Sequence, residues 1–139
     1  MSIQTRKALA DIDLFADLPK EVLDDLNQQG TTLTTSPGHQ VISQGADDLG
    51  LRIVLEGSAE VTVNGQARPA LGPGDYFGEI SMIDGAPRSA TVVAGPDGLK
   101  TFAVSSLAFA PMLDRADVGR ALLKALCARI RALEAAGQG

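Results

Sequence analysis

Most of the fifteen glycines and seven prolines lie between residues 30 and 98, and they cut that region into pieces too short for helices. The pieces read as strands over Thr31–Thr35, Gln40–Ser43, Leu51–Glu56, Ala59–Val63, Gln66–Ala70, Ser89–Ala94 and Lys100–Val104. Each has the length of an ordinary strand and is bounded by turn residues. Pro37-Gly38, Gly72-Pro73-Gly74-Asp75 and Gly95-Pro96-Asp97-Gly98 predict turns, and Asn64-Gly65 between Val63 and Gln66 predicts a hairpin. Short strands at such regular spacing predict an antiparallel sandwich or a jelly-roll barrel of roughly eight strands.

The two ends follow a different period. Within residues 4–29, Leu9, Ile12, Phe15, Leu18, Val22, Leu23 and Leu26 recur at helical intervals, and Pro19 divides the run into two short helices. From Asp117 to Ala136, Val118, Leu122, Leu126, Ile130 and Leu133 repeat in steps of four, four, four and three, which predicts an amphipathic helix. Asp117 is its expected N-cap and Gly137 its stop. A shorter helix is expected over Ser106–Asp114, capped by Ser105 or Ser106, with Pro111 kinking or dividing it. The predicted organisation is one domain over 1–139. Helices occupy 1–29, a β-roll 30–104, and further helices 105–136.

Composition excludes several function classes. With 45% apolar residues in 139, the chain has material for a core. No apolar run approaches the ~20 residues of a membrane span, and no apolar stretch near the N-terminus suggests a secretory leader. The net charge of −5 disfavours non-specific binding to nucleic acid. One cysteine, Cys127, forms no intrachain disulfide and suits a reducing compartment, so a cytoplasmic location is expected. It is expected to sit as a small, buried or half-buried apolar residue. With His39 the lone histidine, a His/Cys metal cluster or a cupin-type metalloenzyme is not expected, and no metal or catalytic residue is assigned.

One segment interrupts the β pattern. Gly78 to Ile83 has room for a turn or two of helix between strands. The N–H groups opening such a helix suit an anion, and Gly78 lets a ligand approach the backbone. Ten residues on, Arg88 follows a Gly-Ala-Pro turn; a guanidinium grips phosphate through two parallel hydrogen bonds. Ser89 adds a hydroxyl donor. Glu79 offers a carboxylate, which repels phosphate but accepts from a sugar hydroxyl. Donors for an anion beside an acceptor for a hydroxyl describe a sugar-phosphate ligand.

Phe77-Gly78-Glu79-Ile80 followed by Pro87-Arg88-Ser89-Ala90-Thr91-Val92 resembles the phosphate-binding cassette of cyclic nucleotide-binding domains. That family includes catabolite-activator proteins, regulatory subunits of cyclic-nucleotide-dependent kinases and cyclic-nucleotide-gated channels. Leu14-Phe15-Ala16-Asp17-Leu18, Val41 to Ala46, Val54 to Ser58 and Leu71 to Asp75 resemble further parts of it, so the similarity spans nearly the whole chain. The resemblance implies an eight-stranded antiparallel β-roll with N-terminal helices, a short phosphate-binding helix and a C-terminal lid helix. It implies cAMP or cGMP as ligand, cAMP favoured. Arg88 would pair with the cyclic phosphate and Glu79 with the ribose 2′-OH. Backbone N–H groups of Ile80, Ser81 and Ala90 would help hold phosphate or ribose, and Ser89 would touch the phosphate. Val61 would lie under the base and Arg129, on the lid helix, would stack on the purine.

The chain departs from the family pattern at Arg52, where relatives usually carry an aromatic residue, and in the loop Asp47 to Gly50. No helix-turn-helix, kinase or channel sequence accompanies the roll. The expected function is therefore a small soluble receptor, not an enzyme, that signals to an unidentified protein through its C-terminal helix. The alternatives are a roll that has lost the nucleotide and serves as an interaction module, or the sensor fragment of a larger transcription regulator or channel. The Leu122–Leu126–Ile130–Leu133 stripe is expected first to pack on the roll. A homodimer seam is its second use, though two or three heptads are too few to require one.

Overall fold

The computed structural model describes residues 9–42, 45, 50–84 and 86–137, and for Ser81 and Met82 the backbone alone. Six strands form one antiparallel sheet: β1 Thr31–Thr35, β2 Gln40–Ile42, β3 Gly50–Val63, β4 Gln66–Leu71, β5 Tyr76–Phe77 and β6 Thr91–Ser105. The order is β1-β6-β3-β4, with β2 added to β6 and β5 to β3. Helices are α1 Lys20–Gln29, α2 Glu79–Asp84, α3 Ser106–Leu113 and α4 Ala116–Ala135; a 3-10 turn, Asp13–Phe15, precedes α1. The expected end of β2 at Ser43, part of the Val41–Ala46 segment and the loop at 46–49 lie outside the described residues, as do 1–8, Gly85 and 138–139.

The β architecture with flanking helices is as the sequence predicts, but the expected eight strands are six among the described residues. The segments Leu51–Glu56 and Ala59–Val63 are one strand, β3, because Gly57 bends the strand without ending it. At Gly57, φ is +82° and an added Cβ would lie 2.1 Å from the Gly98 carbonyl oxygen, so only glycine fits. The segments ending at Ala94 and beginning at Lys100 likewise join as β6. Gly57 pairs with Leu99 and Ala59 with Ala94, so the four residues Gly95–Gly98 face Ser58 alone. The expected turn there is an outward excursion within a continuous ladder. The strand expected from Ser89 begins at Thr91, leaving Ser89 and Ala90 in a bend. Asn64-Gly65 makes the predicted hairpin, closed by Val63 opposite Gln66.

Both faces of β3 are covered. Leu51, Ile53 and Leu55 join Phe102 and Val104 in a core against the helices, where Phe15, Leu26, Phe109, Val118 and Leu122 are buried. Val54 and Ala59 turn the other way and pack with Ile42, Phe77, Val92 and Leu99 inside the roll. Each such large side chain contributes about 1.5–3 kcal/mol when removed from water. Phe15 stacks on Phe109 with centroids 5.8 Å apart, tying the N-terminal turn to α3. Pro19 ends the first helical stretch as expected and stands immediately before α1. Ser105 caps α3, its hydroxyl accepting from Ala108 N at 3.2 Å, and Pro111 sits inside that helix without dividing it.

Three expectations for the C-terminal helix are corrected. The N-cap is Arg115, not Asp117. Asp117 lies in the first turn, where its carboxylate accepts from Val118 N at 2.9 Å and from Arg115. The apolar stripe packs over only half its length: Val118, Ala121 and Leu122 are buried and Leu126 is half-buried, but Ile130 is 53% and Leu133 43% exposed. The helix is longer than the surface beneath it. Cys127, expected to be at least half-buried, is exposed for the same reason. Among the described residues no helix is long and apolar enough to cross a membrane.

Candidate functional site

The site forms where β5 leaves the sheet. Tyr76 and Phe77 pair with Ile53 and Arg52 of β3, and the chain then turns at Gly78 into α2. Gly78 has φ +85°, and a Cβ there would lie 2.2 Å from the Gly50 carbonyl oxygen and 2.4 Å from Arg88 Nη1. No other residue fits this corner. The turn brings the Gly78 carbonyl toward the guanidinium that enters ten residues later. Arg88 is 4% exposed. Its Nη1 donates to Gly50 O at 2.8 Å and to Gly78 O at 3.4 Å. The α2 exit is fixed by Asp84, whose carboxylate accepts from Ala86 N at 2.8 Å.

Around this corner lies a cavity of about 380 Å³. Gly78, Glu79, Ile80, Arg88, Ser89, Ala90 and Val61 all line it, so seven of the nine residues singled out from sequence meet at one place. Ser81 lies within α2, next to Ile80. Arg129 comes from α4 and touches the site through Glu79: its Nη1 is 3.3 Å from Glu79 Oε1. Arg88 also borders a second opening of about 440 Å³ between β1, β3 and β6, which lacks Glu79 and the rest of the cassette. The smaller cavity is therefore the one that gathers the buried guanidinium, the Ser89 hydroxyl and the Glu79 carboxylate together.

The lid side of the site is a polar cluster that sequence reasoning missed. Arg129 stands over the Tyr76 ring, its guanidinium carbon 5.4 Å from the centroid. Arg129 Nη2 also donates to the Tyr76 hydroxyl, and that hydroxyl donates to Asp13 Oδ1. Arg129 Nη2 is 3.6 Å from Asp13 Oδ1. The aromatic partner of Arg129 in this structure is thus Tyr76. The cluster joins the N-terminal 3-10 turn, β5, α2 and α4. The Tyr76 hydrogen bond holds the Asp13 carboxyl below its ordinary 3.8, with the Arg129 charge adding to the effect. Burial, helped by the bond to Asp13, pushes the Tyr76 hydroxyl above its ordinary 10.0. Tyr76 is the chain's lone tyrosine, directly before the cassette, which was the one local signal available. Asp13 gave none, because it reaches the site only through tertiary packing.

Arg52, the departure from the family pattern, is half-buried, and its Nη1 donates to Thr101 Oγ1 at 3.2 Å. That bond satisfies a buried threonine without disturbing the cavity. His39 is exposed beside the Pro37-Gly38 turn. Among the described residues no three His, Cys, Asp or Glu side chains cluster as metal ligands.

Comparison with known proteins agrees with this geometry. The cAMP-dependent protein kinase regulatory subunit of Yarrowia lipolytica is 34% identical over 88 residues, a stretch that covers 62% of this chain and 24% of that protein. The chain thus spans about a quarter of the length of this curated relative. The crystal structure of the N-terminal domain of a transcriptional regulator from Streptomyces coelicolor A3(2) superposes with a TM-score of 0.76 at 28% identity, covering 93% of this chain and 94% of that one. A co-crystal structure of the regulatory domain of Toxoplasma gondii PKA with cAMP superposes with a TM-score of 0.72 at 25% identity, covering 86% of this chain and 47% of that one. Residues 33–115, which hold every strand pair of the cavity wall and the whole cassette, match the family described as the cyclic nucleotide-binding domain. The chain belongs to the cyclic nucleotide-binding domain family.

Proposed function

We propose that this chain is a receptor for a purine 3′,5′-cyclic monophosphate, with cAMP favoured over cGMP, and that it acts by binding and not by catalysis. The observation that carries the reading is the setting of Arg88. A guanidinium 4% exposed, steered by the Gly50 and Gly78 carbonyls, borders the same cavity as a carboxylate suited to a sugar hydroxyl. Arg88 takes the cyclic phosphate, with the backbone N–H groups of Ile80, Ser81 and Ala90 and the Ser89 hydroxyl as further donors. Glu79 takes the ribose 2′-OH, and Val61 lies under the base. The preference for cAMP rests on the kinase regulatory subunit and the cAMP co-crystal structure among the relatives.

Signalling runs through Glu79. Its carboxylate faces both the cavity and Arg129, so a ribose hydroxyl bound there changes the partners of a side chain on α4. The ligand shifts α4 only by its preference for one helix position over the other. The exposed second half of α4, with Ile130 and Leu133, is the surface a downstream protein or a second copy would read.

Calorimetry with cAMP tests the proposal. The unaltered chain binds one equivalent, and Arg88→Ala loses on the order of 100-fold in affinity, as removing a buried charge partner does. Arg88→Lys keeps the charge but not the fork, and it falls between the two. Affinity in both variants equal to the parent, with folding confirmed by melting, would overturn this reading.

A further inference from the structure

β1 is a sheet edge that nothing blunts. Among the described residues it pairs with β6 alone, in unbroken register from Thr31 opposite Ala103 to Thr35 opposite Leu99. Alternate residues of such a strand turn their N–H and C=O groups away from the partner, a row that another strand can join. Proteins commonly guard a row of this kind with charge, proline, a bulge or brevity. The other strands with a single partner show these devices. β4 carries Arg68 and Pro69 and slips register against β3 between Ala59 and Val61. β5 has two residues, and β2 has three with an irregular register. β1, Thr31-Thr32-Leu33-Thr34-Thr35, has no charge, no proline and no bulge. Its threonines are β-branched and favour the extended chain. Residues 31–34 are all exposed, Leu33 at 38%.

The sequence of β1 selects its occupant, because it reads the same in both directions. Two copies laid antiparallel about a two-fold axis set Thr31 opposite Thr35, Thr32 opposite Thr34 and Leu33 opposite itself. Threonine pairs and apolar pairs are both favourable across strands. The net charge of −5 opposes self-association in general, but residues 26–38 carry no Asp, Glu, Lys or Arg, so no like charges meet along this edge. A two-fold contact is also closed: each copy covers the row of the other. We infer that β1 is a homodimer edge, through which two copies of this chain join their sheets into one. β1 lines no part of the cassette cavity, so the contact needs no nucleotide and leaves α4 free. Five residues a side fall well short of the ~20–30 of a standard interface, so the dimer is weak, with a dissociation constant on the order of 100 µM.

The test is sedimentation equilibrium of the whole chain without nucleotide, from about 10 µM to about 1 mM, a range that brackets the expected constant. The unaltered chain passes from monomer to dimer across it. Leu33→Lys and Leu33→Glu each set like charges opposite one another at the two-fold axis, and each weakens association about tenfold. An equimolar mixture of the two places lysine opposite glutamate and restores a heterodimer at least as tight as the parent dimer. That rescue belongs to a symmetric antiparallel contact centred on residue 33. Amide exchange needs no variant: in the unaltered chain, residues 31–35 slow as concentration rises, and residues 125–135 do not. A monomer throughout, a dimer that both Leu33 variants form as readily as the parent, a mixture no tighter than its components, or slowing at residues 125–135 without slowing at 31–35 would each overturn the inference.

Discussion

Two arginines reach the same cavity region from structures of opposite character. Arg88 enters from the roll, is 4% exposed and donates to two backbone carbonyls. Arg129 enters from α4, is 27% exposed in its side chain and bonds only to other side chains: Glu79, Tyr76 and Asp13. The first is held by main chain that the sheet fixes. The second is held by side chains alone, on a helix whose last turns leave Ile130 and Leu133 exposed. The difference gives the proposed receptor a division of labour: the roll would set the anion site in advance, and the helix side would convert binding into movement.

The largest effect comes from disturbing the roll. Gly78→Ala forces a Cβ against Gly50 O and Arg88 Nη1 in a backbone conformation that disfavours it. We expect a loss of about 3 kcal/mol in stability, read from chemical denaturation, and no measurable nucleotide binding. The two halves of α4 should then part company. Leu122→Ala empties a buried position and costs about 2–4 kcal/mol, while Ile130→Ala, at 53% exposure, costs less than about 0.5 kcal/mol. Equal costs would erase the contrast drawn here.

Arg129→Ala should cost under about 1 kcal/mol, since its partners are side chains at least partly in water. Its clearer effect is faster amide hydrogen exchange over residues 125–135, with exchange across β3 and β6 unchanged. The smallest effect concerns acid. Asp13's folded pKa lies below its ordinary 3.8, so the cluster's contribution is complete above that value and is lost as pH falls through the lower folded one. The chain has one tyrosine and no tryptophan, so tyrosine emission reports this cluster. Emission should titrate with a midpoint below 3.8, and Asp13→Asn should remove that step.

What the sequence revealed follows the range of the interaction. The Asn64-Gly65 hairpin, the Ser105 cap and the corner at Gly78 are decided within a few residues, and each is where local chemistry puts it. Most of the cavity lining is legible for the same reason, because six of the seven expected residues that meet there fall within residues 78–90, on one turn, one short helix and the bend before β6, and only Val61 comes from β3. The merging of four expected strands into β3 and β6 was not legible. Gly57 and the Gly95–Gly98 run look like breaks, and only the partner strand shows that they are bulges. The period of α4 was legible but not its cover, since how far a helix overhangs depends on the length of what it lies on. Cys127 was misplaced through that gap. The Asp13–Tyr76–Arg129 cluster joins residues 63 and 53 positions apart, so no local pattern announces it.

The most direct measurement is amide hydrogen exchange by mass spectrometry with and without saturating cAMP. The account predicts that protection rises over residues 78–92 and over the second half of α4, with little change in β1 and the far end of β6. Protection unchanged over residues 78–92 while cAMP is in large excess would contradict it.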